Sequence, residues 1–120
     1  MRLSLESNLI GNLGLIGLSK AMIDNESLEE LYLYNNEIDD DSIDAFYNML
    51  ENKKRLRILG LEYNKIRFKA DTVMRAVMTK SYFERLYLTQ NMIQSGIGEA
   101  VYELLKCSDS IRELRMNHNH

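Results

Sequence analysis

The sequence predicts an α/β solenoid, a right-handed horseshoe segment with parallel strands on its inside and helices on its outside. Three observations predict it. A pattern of leucines closed by an asparagine recurs five times, its spacing is nearly constant, and an apolar helical face recurs at the same period. The best examples read Leu28-x-x-Leu31-x-Leu33-x-x-Asn36-x-Ile38, Leu56-x-x-Leu59-x-Leu61-x-x-Asn64-x-Ile66 and Phe83-x-x-Leu86-x-Leu88-x-x-Asn91-x-Ile93. The chain opens in the same pattern with Leu3, Leu5, Asn8 and Ile10, and closes in it with Ile111, Leu114, Met116 and Asn119. The marker leucines stand at 3, 31, 59, 86 and 114, so successive steps are 28, 28, 27 and 28 residues.

Within each unit the leucines alternate with other residues, which is the period of a strand buried on one face. The second half of each unit changes period. Gly14, Leu18 and Met22 stand four apart, as do Ser42, Phe46 and Leu50, then Ala70, Met74 and Met78, then Ile97, Val101 and Leu105. A further column of Ala21, Met49, Val77 and Leu104 falls three after each middle member, completing the i, i+3, i+4 face of a helix. Gly14 stands where the repeat takes a small residue at the start of its helix. The residue missing from the 27-residue step falls between Met78 and Phe83, in a loop at Lys80 and Ser81. Parallel strands joined through helices require right-handed crossovers. Strands stack at ~4.8 Å and helices at ~8–10 Å, so such a stack must bend.

This pattern resembles a leucine-rich repeat of the ribonuclease-inhibitor-like class. The resemblance covers residues 1–120 as one domain, four full repeats and the strand of a fifth. It implies a non-catalytic protein–protein interaction module, a scaffold rather than an enzyme, in an intracellular and cytoplasmic setting. It names no partner, because the same fold serves many functions. A GTPase-activating role, which some proteins of this class have, would call for a longer and more acidic array.

The asparagine column, Asn8, Asn36, Asn64, Asn91 and Asn119, has a structural reading. The chain must turn beneath a covering unit, and an amide side chain carries both donors and an acceptor for the turn's backbone groups. A ladder of such amides is expected.

The residues between and beside the strand leucines face the other way, onto the concave surface. Across the units they read Arg2, Glu30, Ile58, Arg85, Glu113; then Ser4, Tyr32, Gly60, Tyr87, Arg115; then Glu6, Tyr34, Glu62, Thr89, Asn117; and at the lip Ser7, Asn35, Tyr63, Gln90, His118. Tyrosine offers a large contact area at low entropic cost, with a polar tip. Tyr32, Tyr34, Ile58, Gly60, Glu62, Tyr63, Arg85 and Tyr87 are therefore the candidate binding residues. Gly60 lies between Tyr32 and Tyr87, and its missing side chain predicts a notch ~10 Å wide, two strand spacings. A partner's side chain or short peptide would insert there. A further column alternates Glu29, Arg57, Glu84 and Arg112, which predicts a ladder of ion pairs fixing register.

Composition narrows the alternatives. Apolar residues are 45% and charged residues 28% of the 120, an ordinary globular balance. The net charge of −3 gives no basic excess for nucleic acid. No apolar run approaches the ~20 residues of a membrane helix, and Ser4, Glu6 and Asn8 interrupt any signal-like core. The single cysteine, Cys107, forms no internal disulfide and reads as a small packed hydrophobe. His118 and His120 are the only histidines, too few for zinc and too terminal for a catalytic triad. Asp39, Asp40 and Asp41 read as the acidic start of a helix, with Asp41 or Ser42 as N-cap, rather than as a metal site. No cofactor, metal, nucleic acid or membrane partner is expected.

The ends show no polar cap of the kind a solenoid needs. Leu3, Leu5, Leu18 and Met22 at one end, and Val101, Leu105, Leu114 and Met116 at the other, lack cover. Three arrangements would supply it: a longer protein, neighbours in a large assembly contacting the ends and helices, or end-to-end self-association. The first two are favoured, and a structural subunit is thus the alternative function.

Overall fold

The computed structural model describes residues 1–119; His120, half of the His-x-His pair, lies outside them. Ten elements follow in order: β1 (Arg2–Ser4), α1 (Gly11–Ala21), β2 (Glu30–Tyr32), a 3-10 turn (Asp40–Ser42) leading into α2 (Ile43–Leu50), β3 (Ile58–Gly60), α3 (Ala70–Val77), β4 (Arg85–Tyr87), α4 (Gly98–Cys107) and β5 (Glu113–Arg115). The strands form one open, wholly parallel sheet in the order β1-β2-β3-β4-β5. Each marker leucine pairs with the next: Leu3 with Leu31, Leu31 with Leu59, Leu59 with Leu86, Leu86 with Leu114. A slip of one residue would turn every leucine out of the core, which is why the register holds across a step of 27 as well as 28.

The core lies between sheet and helices. Leu31, Leu33, Leu59, Leu61, Leu86 and Leu88 are buried against Phe46, Met49, Leu50, Val73, Met74, Val77 and Leu104. Each helix packs on its neighbours in sequence, α1 on α2, α2 on α3, α3 on α4. The first helix departs from the expected face. It buries Leu15 and Ser19, while Ala21 is exposed and Leu18 only partly covered. Among the described elements α1 packs on α2 and on the 3-10 turn before it, so α1 turns one side inward, where the Ser19 hydroxyl donates to the Leu15 carbonyl at 2.8 Å. At Gly14 a Cβ would lie 2.6 Å from Ile10 Cγ2, so a larger residue there would have to displace the Ile10 side chain.

Ser42, one of the two expected residues, stands at the N-cap position of α2 but its side chain makes no capping bond there. The side-chain cap is Asp39, which caps the 3-10 turn that precedes the α-helix: its carboxylate accepts from the Asp41 amide at 2.9 Å. The Ser42 hydroxyl donates instead to Asn12 Oδ1 of the preceding unit at 2.7 Å. Asp40 reaches the following unit and accepts from the Arg67 and Phe68 amides at 2.8 and 2.9 Å. Cys107 is exposed rather than packed. Its helix enters the core through Leu104, and the last turn, with Leu105 and Lys106, stands in solvent.

The end units are thinly covered. Leu3, Leu5, Leu18 and Met22, and Val101, Leu114 and Met116, pack on the core while remaining partly exposed. Leu13, Leu9 and Leu105 are 88%, 75% and 56% exposed. No helix is long and apolar enough to cross a membrane.

Candidate functional site

The face of the sheet turned away from the helices is laid out by the turns that close each strand. Those turns are built by two columns. Ser7, Asn35, Tyr63, Gln90 and His118 all adopt left-handed backbone, with φ between 55° and 58°. Each is followed by a column asparagine. A left-handed residue reverses the chain sharply, and ordinary residues resist it by roughly 1–2 kcal/mol each. The asparagines hold the reversal in place. Asn64 Oδ1 accepts from the amides of Asn36 and Ile38 in the preceding unit, both at 3.0 Å. Its Nδ2 donates to the carbonyls of Leu33, Leu61 and Glu62. Asn36 does the same for Asn8 and Ile10, and Asn119 for Asn91 and Ile93. Asn91 accepts from the Ile66 amide. Asn8 has no preceding unit among the described residues, and its amide donates only to the Glu6 carbonyl.

On the other side of the units a column passed over in the sequence reading does equivalent work. Lys53 is 1% exposed, and its Nζ donates to the Ile23 and Asn25 carbonyls at 3.2 and 2.7 Å. Lys80, also buried, donates to the Leu50 carbonyl at 2.6 Å. Each lysine thus satisfies carbonyls left over where the preceding unit's helix ends. Burial pushes the Lys80 ammonium down to about 8, with the nearby Lys53 charge adding to the effect. The signal was available: Asn25, Lys53, Lys80 and Ser108 occupy one repeat position.

With the turns fixed, the open face carries two similar constellations. At β2 the Tyr32 hydroxyl donates to Glu30 Oε1 at 2.6 Å, and the Arg2 guanidinium lies 4.9 Å from the Tyr32 ring centre. At β4 and β5 the Tyr87 hydroxyl donates to Glu113 Oε2 at 3.3 Å, and the Arg115 guanidinium lies 5.2 Å from the Tyr87 ring centre. Arg115 and Arg85 both pair with Glu113. Partial burial, with Glu30 beside it, raises the Tyr32 phenol to about 12. At the lip Tyr34 and Tyr63 meet edge to face at 5.1 Å, 38% and 50% exposed.

Between the two constellations the expected notch is occupied. Gly60 pairs with Tyr32 on one side and Tyr87 on the other. A Cβ on Gly60 would lie 3.0 Å from Glu62 Oε2 and 3.2 Å from Tyr32 Cδ1, so the carboxylate and the ring have moved into the space. Gly60 and Ile58 are buried as a result. The glycine therefore does not leave an open slot; it lets Glu62 fold down onto the sheet. Burial raises the Glu62 carboxyl, against a backbone hydrogen bond and the Arg115 charge, and Glu6 adds to the rise. Of the expected ladder, only Arg57 and Glu84 pair, at 3.2 Å. Glu29 and Arg112 stay apart from it: Arg57 and Glu84 are each committed to the other, and water competes for the partly exposed remainder.

The Leucine Rich Repeat family model matches residues 27–49, the stretch from just before β2 almost to the end of α2. With the parallel five-stranded open sheet and four helices, this supports a leucine-rich repeat protein, a kind of protein whose repeats are typically non-catalytic interaction modules. No curated protein matches the chain.

Proposed function

We propose that this chain is a solenoid segment of the ribonuclease-inhibitor-like class that binds a protein partner on its open, concave sheet face, and that it works inside the cell, where its exposed thiol stays reduced. The observation that carries the reading is the aromatic content of that face. Tyr32, Tyr87, Tyr34 and Tyr63 stand on it or at its lip with none of the described helices packed over that face, and tyrosine is among the residue types enriched at interface hot spots. Glu62 and Arg85 supply charge beside them, and Ile58 and Gly60 form the layer beneath. The test is affinity capture from native cells with the wild-type chain and a Tyr32→Ala/Tyr87→Ala double variant of unchanged circular dichroism. Loss of a captured protein in the variant supports the reading, and equal capture overturns it.

A second reading is favoured by the exposed Leu9, Leu13, Tyr102 and Leu105 near the two end units. Here the chain is a structural subunit whose ends and helices dock on neighbours, with end-to-end self-association as one form. Light scattering over a range of concentrations separates the two: a constant monomer mass goes against self-association.

A further inference from the structure

We infer that the face takes an arginine side chain presented by the protein partner, its guanidinium paired with the Glu62 carboxylate where that group lies over Gly60, beside the Tyr32 ring. This rests on the proposed use of the face and adds what it recognises.

The argument comes from what the face already does with its own arginines. Twice it sets a guanidinium over a tyrosine ring whose hydroxyl is tied to a glutamate: Arg2 on Tyr32 with Glu30, and Arg115 on Tyr87 with Glu113. A guanidinium suits both partners, stacking flat on a ring and presenting donors to a carboxylate. Between these two stands a third carboxylate, Glu62, which shares with the Tyr32 ring the space that a side chain on Gly60 would fill. Among the described residues no cation pairs with it.

Charge on the face points the same way. It carries Glu6, Glu30, Glu62 and Glu113 against Arg2, Arg85 and Arg115. Arg85 and Arg115 both pair with Glu113, although the Arg115 charge also reaches Glu62, and Arg2 lies on Tyr32. The surplus negative charge falls on Glu62 and Glu6, which share one row of the sheet with Tyr34 between them. A half-buried carboxylate has already lost part of its hydration, so an incoming cation recovers an interaction that water no longer fully supplies. The exposed Tyr34 and Tyr63 rings at the lip give the rest of a partner segment something to lie against.

The experiment uses a defined probe, the peptide acetyl-Gly-Arg-Gly-amide, and its citrulline counterpart, which keeps the shape and removes the charge. Both are titrated into the isotope-labelled chain and followed by amide shifts. The expected result is saturable shifts at Gly60, Leu61 and Glu62 with the arginine peptide, none with citrulline, and binding at least about tenfold weaker in Glu62→Gln. A contact of about 1.5–3 kcal/mol corresponds to a Kd of roughly 6–80 mM, so the absence of any concentration-dependent shift at these amides up to about 80 mM peptide overturns the inference. So do equal shifts with citrulline, or unchanged binding in Glu62→Gln. The citrulline comparison needs no variant, so it stands even where a substitution disturbs folding. If a cellular partner is lost in the Tyr32→Ala/Tyr87→Ala variant but the arginine peptide leaves Gly60 to Glu62 unmoved, the arginine inference fails and the face remains the binding surface. If the peptide saturates on Glu62 while partner capture ignores the tyrosines, the proposed function fails and the guanidinium site stands.

Discussion

Replacing Asn64 by alanine removes one rung from the middle of the amide ladder. The side chain is 6% exposed, and it alone accepts from the Asn36 and Ile38 amides while donating to three carbonyls. Leaving a buried donor without a partner costs about 1–3 kcal/mol, so two stranded N–H groups cost about 2–6 kcal/mol. A chain of this length has a total stability of roughly 6–18 kcal/mol, at about 0.05–0.15 kcal/mol per residue. Asn64→Ala should therefore remove a large fraction of it. Asn8→Ala is the matched comparison, with the same residue type at the same repeat position. Its amide makes one exposed bond, to the Glu6 carbonyl, so the loss should stay within about 0.5 kcal/mol. Urea unfolding of both variants measures the difference. Native-state hydrogen exchange locates it, since the Asn36 and Ile38 amides should lose protection first. Equal destabilisation by the two substitutions would refute the reasoning, because the cost would then follow the residue type and not the covering unit.

Other outcomes follow from the same geometry. Leu9 holds φ at 54° while 75% exposed, so it strains the backbone with little packing in return; Leu9→Asn should stabilise the fold by about 1 kcal/mol in urea unfolding. Lys80 titrates near 8 in the fold against 10.5 unfolded, so the unfolded chain binds more protons between those values. Stability from this group should rise as pH goes from about 8 towards 10, and Lys80→Met should lack that rise in melting temperatures taken across the window. Tyr32 acts oppositely and higher: its folded value of about 12 exceeds 10, so its contribution is present below pH 10 and is lost only as pH rises through that upper range. The Glu62 carboxyl is raised on folding, so the wild type should lose stability as pH rises through the carboxylate range. Glu62→Gln should flatten that part of the curve, and a difference curve of zero slope would remove Glu62 from its place on the sheet.

Much of the fold was legible because each unit repeats the same demand. Leucines at 3, 31, 59, 86 and 114 can share one core only if their strands stack in order and in register, and the asparagines then fall into line. The open-face columns follow by alternation, which is why Tyr32, Gly60 and Tyr87 could be aligned before any coordinates. The Gly60 notch was misread for a definite reason. Alternation says which face a side chain leaves from, and says nothing of a neighbour such as Glu62 folding back over a gap. The acidic tract placed Ser42 at the start of α2 but not the side-chain cap at Asp39, because a 3-10 turn and an α-helix share the same capping residues.

The sequence by itself determined the order of the units, the pairing of their strands and the placing of the asparagines, because a periodic apolar pattern tolerates only one register. The tertiary structure alone decided that Lys53 and Lys80 are buried, that Arg57 pairs with Glu84 and not Glu29, and that Glu62 rather than a void separates Tyr32 from Tyr87. Each of these is a choice made by a flexible polar side chain among partners 27 or more residues away, or two residues away across a missing side chain. Such choices are settled by burial and by competing partners in the assembled stack, neither of which leaves a local mark in the chain.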